Sequence, residues 1–183
     1  MKKVAIIIVV CFCSLVSYAQ LEMYGRYIID GKVEPSFNIY GEKKISSTVN
    51  LTYFVVVEEK WSEALIGLSY APVKWMILGL STGIENNPSL YRFGASLWLG
   101  KNKTSFVLLG EKGDGKDNYW YKICLAYKAS EQFTFSAMAW RYQGIGPLIS
   151  YMPKKSDLTI WFMPAYDPEI EAKMMMLGIN VKI

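Results

Sequence analysis

Histidine is absent from all 183 residues, and this absence limits the chemistry that the chain could perform. Histidine is the usual general base of serine and cysteine hydrolases and the commonest protein ligand of zinc. Two of the three cysteines, Cys11 and Cys13, lie close to the N-terminus, so Cys124 stands alone in the rest of the chain. A single thiol without a histidine partner supplies neither a papain-like protease nor a disulfide exchange site. The sequence therefore predicts a buried, inert Cys124 and no enzymatic activity.

Two acidic groups could bind a cation or act as general acid and base. Glu169 and Glu171 are two residues apart, and we predict that they share one face of the last strand with Lys173, with about 7 Å between the two glutamate side chains. Glycosidases use carboxylates at such a separation, but nothing here marks a sugar cleft, and an ion-pair network is the simpler interpretation.

The segment 111–117 alternates acids with glycines, yet it lacks the spacing and terminal glutamate of an EF-hand loop. We predict a hairpin loop there and no metal or cofactor site.

The first 19 residues have the parts of a secretory signal peptide. Lys2 and Lys3 form a charged start, and an apolar run extends from Val4 to Val16. Ser17-Tyr18-Ala19 then places small residues at the −3 and −1 positions of a cleavage site. The apolar run is too short for a helix that spans a bilayer, which needs about 20 residues. We therefore predict that residues 1–19 are removed on export and that residues 20–183 form a single domain.

The composition of the remaining chain narrows the fold class. Apolar residues make up 52% of the sequence, but no stretch after the leader is long and apolar enough for a transmembrane helix. Removing Lys2 and Lys3 lowers the net charge from +4 to +2, so no nucleic acid partner is indicated. A chain this apolar and aromatic, with short β-type segments, is either a soluble all-β protein or a barrel whose apolar face contacts lipid.

Turn signals divide the chain after the leader into about twelve segments with a period of two residues. In the segment 119–128 the odd-numbered residues are bulky and apolar, whereas the even-numbered ones include Lys122, Cys124 and Ala126. The segments 49–57 and 90–99 sort in the same way, with Arg92 opposite the aromatic face. The turn signals lie at residues 30–31, 41–44, 58–61, 71–72, 85–88, 100–103, 113–117, 130–131, 143–146, 153–156 and 166–168.

The less apolar face of these segments favours a lipid-facing barrel over a soluble one. A soluble barrel turns that face to water and needs charged residues at most of its positions. Here the face is rich in Gly, Ser, Thr and Ala, which fit inside a narrow barrel, and Tyr and Trp are frequent near segment ends, as at membrane interfaces. We predict an all-β fold: a single antiparallel up-and-down transmembrane β-barrel with about 12 strands, the alternative being 10, and short loops. An even number of strands leaves both termini on one side.

In these features the chain resembles small bacterial outer-membrane β-barrel proteins, of a Bacteroidetes-like type. The resemblance rests on Lys2-Lys3, on Ser17-Tyr18-Ala19-Gln20 and on the alternation that covers residues 20–183. It implies a location in the outer membrane, contact with outer-membrane lipid, and insertion by the outer-membrane assembly machinery. That machinery usually reads a last strand that ends in an aromatic residue, whereas this chain ends in Ile183.

The inner face of such a barrel would line a narrow lumen. We predict a non-enzymatic barrel whose lumen either fills itself with ion pairs, the favoured structural version, or passes very small solutes. A twelve-stranded barrel is wider than eight-stranded barrels, whose interior is filled by side chains, and narrower than sixteen-stranded porins. The width of the barrel alone is therefore compatible with both a filled lumen and a conducting one. The alternative is a secreted or periplasmic soluble β-barrel that binds an apolar ligand inside. The predicted lumen-lining residues are Arg26, Glu58, Glu63, Arg92, Lys122, Glu169, Glu171 and Lys173.

Overall fold

The computed structural model describes residues 18–28, 31–87 and 90–183, and all regular structure in these ranges is β-strand. No described residue belongs to a helix that is long and apolar enough to cross a membrane. Most of the predicted signal peptide lies outside the described residues, while Tyr18 and Ala19 belong to the first strand. The strands are β1 (Tyr18–Ile28), β2 (Lys32–Lys44), β3 (Val49–Glu58), β4 (Ser62–Val73), β5 (Met76–Glu85), β6 (Tyr91–Lys101), β7 (Thr104–Gly113), β8 (Tyr119–Lys128), β9 (Phe133–Trp140), β10 (Gly144–Tyr151), β11 (Leu158–Asp167) and β12 (Ala172–Lys182).

These twelve strands form a closed barrel. Each strand pairs antiparallel with its neighbours in sequence, and β12 pairs with β1. The closing register runs from Gln20 opposite Lys182 to Ile28 opposite Met174. Closure leaves no sheet edge with unpaired backbone groups, which is the condition that a bilayer imposes on β-structure that spans it. The predicted up-and-down barrel is confirmed, with twelve strands and not ten.

Apolar side chains face outward from the barrel. On β6, Tyr91 and Phe93 are 72% and 62% exposed, whereas Arg92 between them is 1% exposed. On β8, Leu125 and Tyr127 are exposed while Cys124 is only half-buried on the opposite face. Because successive side chains of a strand point to opposite faces, the exposed set lies on the outside and the small, polar or charged set lies inside. This orientation is the reverse of a soluble barrel.

The barrel has two ends with different contents. The terminus end holds both chain termini and the connections 45–48, 74–75, 102–103, 129–132 and 152–157. The opposite end holds the connections 29–31, 59–61, 86–90, 114–118, 141–143 and 168–171. Every connection has between two and six residues, so the predicted short loops are confirmed and loop length does not distinguish the two ends.

Two of the predicted turns lie inside strands instead. Gly41 belongs to β2 and pairs with Tyr53 of β3, and a Cβ at Gly41 would come within 2.4 Å of the Tyr53 ring. The glycine therefore makes room for an aromatic side chain across the sheet and does not form a turn. Pro72 lies in β4 where the register with β5 shifts between Tyr70 and Val73, because proline cannot donate to a sheet ladder.

One seam of the barrel has an interrupted ladder. Between β10 and β11 the register is observed at Ile145–Tyr166 and again from Ile149–Phe162, with no paired residues in between. The same register places Pro147 opposite Pro164, and neither residue has an N–H to donate. Both prolines face outward, so this interruption lies on the outer surface of the barrel.

A charged residue on the outer face should destabilise the inserted barrel. Leu80 lies at the centre of β5 and is 73% exposed. We expect Leu80→Arg to lower the free energy of unfolding in lipid vesicles by about 2–4 kcal/mol, the cost of arginine near the bilayer midplane. The matched control is Leu90→Arg, which changes an exposed leucine outside the strands and should cost under about 1 kcal/mol. Urea titration of both variants measures the difference, and equal losses would contradict the apolar-out orientation.

Candidate functional site

Arg92 lies on the inner face of β6 near the opposite end, where three glutamates surround it. Its Nη1 donates to Oε2 of Glu85 at 2.8 Å. Its Nε lies 2.7 Å from Oε2 of Glu63 and 2.8 Å from Oε2 of Glu111. The side chains of Arg92, Glu63 and Glu85 are almost completely buried. One guanidinium thus holds three carboxylates, which leaves an excess of negative charge if all three are ionised.

Neighbouring groups complete this Arg92 cluster, which consists of Arg92, Glu63, Glu85, Glu111 and Asn118. The Oδ1 atom of Asn118 accepts from Nη1 of Arg92 at 3.0 Å, and its Nδ2 donates to Glu85. The guanidinium carbon also lies 4.6 Å from the ring centroid of Trp61, a cation–π contact. The register partners of Arg92 are glycines on both sides, so no side chain competes for this space. The buried side chains of the cluster fill this part of the interior near the opposite end.

Arg141 ties together the connections at the opposite end. It lies in the connection 141–143, and its Nε donates to Oε1 of Glu169 at 3.0 Å. Its Nη1 donates to the carbonyl of Asp117 at 2.9 Å and to that of Tyr119, whose ring centroid lies 3.5 Å from the guanidinium carbon. Burial lowers the pKa of Arg141, but the hydrogen bond to Glu169 and the nearby charges of Tyr142, Glu169 and Tyr119 together offset this and leave the pKa above its ordinary value. The guanidinium therefore stays charged.

Loss of these contacts should loosen the loops at the opposite end. We expect Arg141→Gln to increase the rate at which Lys-C cleaves after Lys116 by about threefold or more. The reason is that the connection 114–118 loses the hydrogen bond from Arg141 to the carbonyl of Asp117. Glu169→Gln is the graded control, since it weakens one of the contacts and keeps the guanidinium. Mass spectrometry of the fragments gives both rates. An unchanged cleavage rate in Arg141→Gln would show that the contacts of Arg141 do not restrain the connection 114–118.

One half of the interior is filled by apolar side chains. The ring centroid of Tyr24 lies 5.4 Å from that of Trp140 and 5.6 Å from that of Trp161. Trp161 packs flat against Gly178, where a Cβ would come within 2.4 Å of the indole. The phenol of Tyr24 donates to Oε1 of Glu58 at 3.1 Å, which anchors the group to β3. This aromatic cluster consists of Tyr24, Met138, Trp140, Leu148, Trp161, Met163 and Met176.

The other half of the interior encloses a cavity of about 500 Å³. Its wall on β4, β5 and β6 is made largely of small residues, and the carboxylates of Glu22 and Glu42 line it from β1 and β2. It reaches Glu111 of the Arg92 cluster and Lys122, whose Nζ lies 3.9 Å from the ring centroid of Trp140. From there it extends toward the terminus end. The small wall residues are Gly67, Ser69, Gly79, Ser81, Gly94 and Ser96.

Five of the eight predicted lumen-lining residues lie on inner-face positions. Glu63 and Arg92 are in direct contact, as described above. Arg26 donates to Glu34 and to the carbonyl of Tyr142, so it is part of a second ion pair at the opposite end. The inner-face residues therefore do not form one network, because they contact different partners. The five are Arg26, Glu58, Glu63, Arg92 and Lys122.

The other three are placed differently. The prediction that Glu169, Glu171 and Lys173 share one face of the last strand is wrong, because β12 begins only at Ala172. Glu169 and Glu171 lie in the preceding connection, where Glu171 has a φ of 52°, a left-handed conformation that does not continue a strand. Lys173 pairs with Tyr166, an outward-facing residue. All three side chains are exposed and none lines the cavity.

The sequence interpretation missed four residues of the interior network. The sequence predicts a turn at Glu85 and a hairpin loop at Glu111, and no pattern in it indicates Asn118 or Arg141. The available signal was the hairpin register, because β4 and β5 joined by a short turn place Glu63 opposite Glu85. The hairpin of β6 and β7 likewise places Glu111 opposite Gly94, two residues from Arg92 on the same face of β6.

No metal site is found in the part of the chain that the structure describes. No group of three or more Cys, Asp or Glu side chains there is arranged to hold a metal ion. In the acidic hairpin, the ammonium of Lys112 donates to the carbonyls of Gly115 and Lys116. That cation takes the carbonyl oxygens that a calcium loop would use. Cys124 is a free thiol that packs against the aromatic cluster.

A closed twelve-stranded barrel with an apolar exterior and a partly polar interior has the architecture of small outer-membrane porins. Comparison with solved structures identifies particular proteins of this class. The KdgM porin shares 10% sequence identity, with 88% of this chain and 98% of that chain covered and a TM-score of 0.61. A second structure, the KdgM porin in complex with disordered oligogalacturonate, gives the same identity and coverage with a TM-score of 0.60.

The NanC porin has the same fold as well. It shares 11% identity, with 89% of this chain and all of that chain covered and a TM-score of 0.58. No protein-family model matches the sequence, and no curated protein matches it. At identities this low, structural similarity shows a common fold and nothing more. The function must therefore be argued from the interior of this barrel.

Proposed function

We propose that this chain is a non-enzymatic protein of the bacterial outer membrane whose barrel provides a narrow pathway for small solutes. The observation that carries the proposal is the interior cavity of about 500 Å³, which ends at the Arg92 cluster. The aromatic cluster narrows the pathway from one side. The Arg92 cluster and Arg141 close it at the opposite end, so passage requires these ion pairs to rearrange.

The outer surface supports a membrane location. Exposed apolar side chains cover the middle of the strands, and exposed aromatic residues lie toward both ends, as in the two belts of transmembrane barrels. The predicted signal peptide would direct export, and the terminus end would then face the periplasm. The belt residues are Tyr70, Trp75 and Tyr127 near the terminus end and Tyr91, Tyr119 and Tyr166 near the opposite end.

The charges that line the cavity favour small neutral or cationic solutes. Among the described lining residues, the carboxylates and ammonium groups are those of Glu22, Glu42, Glu111 and Lys122. Oligogalacturonate, which appears in the structure of the KdgM porin, is a polyanion. A lumen with three carboxylates and one ammonium would repel such a solute. We therefore propose a solute preference different from that of an acidic oligosaccharide.

The first test of the proposal is location. The full-length protein is expressed in a bacterium with an outer membrane, the membranes are fractionated, and the outer-membrane fraction is run on a gel with and without heating. We expect the protein in that fraction, with faster migration when it is not heated. Recovery as a soluble periplasmic or secreted protein would instead support the alternative, a soluble barrel that binds an apolar ligand.

The second test is conductance. The purified barrel is inserted into planar bilayers that separate two concentrations of potassium chloride. We expect small, infrequent openings with a reversal potential that indicates cation preference, and Glu22→Gln combined with Glu42→Gln should reduce this preference. The matched control replaces Glu59 and Glu131, which are exposed and do not line the cavity. Absence of conductance in the inserted barrel, even after Arg92 is replaced, would contradict a pathway and leave a structural barrel.

A further inference from the structure

A ring of exposed lysines surrounds the terminus end of the barrel. Every one of the five connections at this end has at least one lysine within it or directly beside it, and the last strand carries another. All of these side chains are exposed. We call this set the lysine ring: Lys43, Lys44, Lys74, Lys101, Lys103, Lys128, Lys154, Lys155 and Lys182.

The charge of the lysine ring is not balanced within the protein. The acidic residues at this end are Glu42, Glu131 and Asp157, against nine lysines. Every salt bridge among the described residues lies at the opposite end or joins residues near it, and none includes a member of the ring. The two ends therefore differ, since Arg26, Lys32, Arg92 and Arg141 of the opposite end form salt bridges with carboxylates, whereas no lysine of the ring does.

The ring is positioned at the depth of lipid headgroups. Lys74 and Lys103 each lie in a connection of only two residues, so the chain cannot carry them far from the strand ends. Trp75 follows Lys74 directly and is 53% exposed, and Tyr70 and Tyr127 face outward on the adjoining strands. Aromatic rings of this kind prefer the headgroup level of a bilayer, and lysine extends from such positions toward the phosphates.

We propose that the lysine ring binds the phosphate groups of anionic phospholipids in the leaflet at the terminus end. This inference rests on the proposed function, because it requires the barrel to span a membrane. Charge complementarity selects the anionic headgroup, and lysines spread around the whole circumference suit many lipids better than one solute at the lumen. The ring would thereby fix the depth and the orientation of the barrel.

The test compares lipid selectivity in matched variants. Lys74, Lys103 and Lys154 are replaced by glutamine in one variant, and the control replaces Lys60, Lys116 and Lys173 of the opposite end, which are equally exposed. Both variants lose the same charge. Each barrel is refolded into phosphatidylcholine vesicles that contain a trace of spin-labelled phosphatidylglycerol or spin-labelled phosphatidylcholine, and the motionally restricted fraction is measured.

We expect the unmodified barrel to prefer phosphatidylglycerol by about threefold, with the preference falling as salt is raised. The ring variant should lose most of this preference and the control should keep it. Equal losses in the two variants, or no preference at all, would overturn the inference. Heat-dependent gel migration is checked first in every sample, so failure to insert would count against the proposed function and not against the lysine ring.

A second arm separates phospholipid from lipopolysaccharide, whose phosphates carry the same chemistry. The vesicles are prepared with lipid A in place of phosphatidylglycerol, and the same variants are compared. A stronger preference for lipid A that depends on the lysine ring would place this end in the outer leaflet. That result would overturn the assignment to phospholipid.

Discussion

Replacing Arg92 by alanine is expected to lower the free energy of unfolding by about 3–5 kcal/mol, which makes it one of the two most damaging single changes in the barrel. The guanidinium is 1% exposed and contacts Glu63, Glu85 and Glu111. Its removal leaves buried carboxylates with no counter-ion, and their desolvation cost is no longer offset. Urea unfolding of the barrel in lipid vesicles, followed by tryptophan fluorescence, measures the loss.

Two further variants separate charge from packing at this cluster. Arg92→Lys keeps the charge but loses the planar fork that contacts several carboxylates at once, so an intermediate loss is expected. Arg92→Met combined with glutamine at Glu63, Glu85 and Glu111 should regain most of the stability, because removing both partners avoids an unpaired buried charge. A loss below about 1 kcal/mol in Arg92→Ala would contradict the ion network as a determinant of stability.

The same substitution should also affect permeation. Since the proposed pathway ends at the Arg92 cluster, Arg92→Ala is expected to open the inserted barrel more often than Arg92→Lys does. Single-channel recording of the two variants compares the fractions of time spent open. Equal, unchanged open fractions in correctly inserted barrels would show that the closure lies elsewhere.

Replacing Trp161 by alanine is the second change with a large expected effect, again about 3–5 kcal/mol. Trp161 is 3% exposed and packs between Tyr24 and the flat surface at Gly178. Alanine would leave a cavity in the aromatic cluster, because the surrounding strands are fixed by the barrel ladder and cannot collapse into it. Guanidine or urea unfolding in vesicles gives the free energy.

Trp75→Ala provides the matched control for this prediction. Trp75 is 53% exposed in a two-residue connection, so its removal opens no internal cavity and should cost much less. Trp161→Phe adds a finer comparison, since the indole N–H of Trp161 has no hydrogen-bond partner among the described residues. Phenylalanine should therefore retain most of the packing energy. A larger effect at Trp75 than at Trp161 would refute the packed interior.

The fold could be predicted because its signal is local. Alternation along β6 and β8 is legible in the residues themselves, since every second side chain points to the same face whatever the strand pairs with. The orientation of the faces followed from the scarcity of charge on the polar one. The turn predictions at Gly41 and Pro72 failed because these residues also serve within strands, one beneath Tyr53 and one at a register shift.

The interior network was harder to predict because it depends on register. Glu63 and Arg92 could be assigned to the inner face, but their contact depends on the heights at which β4, β5 and β6 pair. If a hairpin turn moves by one residue along the chain, the register of its two strands changes, and different side chains lie opposite each other. Glu169 shows the same limit, since a strand boundary three residues later than expected places it in a loop. The cavity arises from the balance of small and aromatic residues across nine strands, β1 to β9, which no single segment reveals.

The pairing of β1 with β12 has a consequence for how the molecule can be made. The first strand finds its second partner only when the last one arrives, at the far end of the chain. Until then two strand edges carry unsatisfied amides and carbonyls, which a hydrocarbon layer does not tolerate. A fragment that lacks β12 leaves one edge of β1 and one edge of β11 unpaired. Assembly in a bilayer must therefore shield both edges until β12 pairs with β1, and deletion of β12 alone should abolish assembly as a whole.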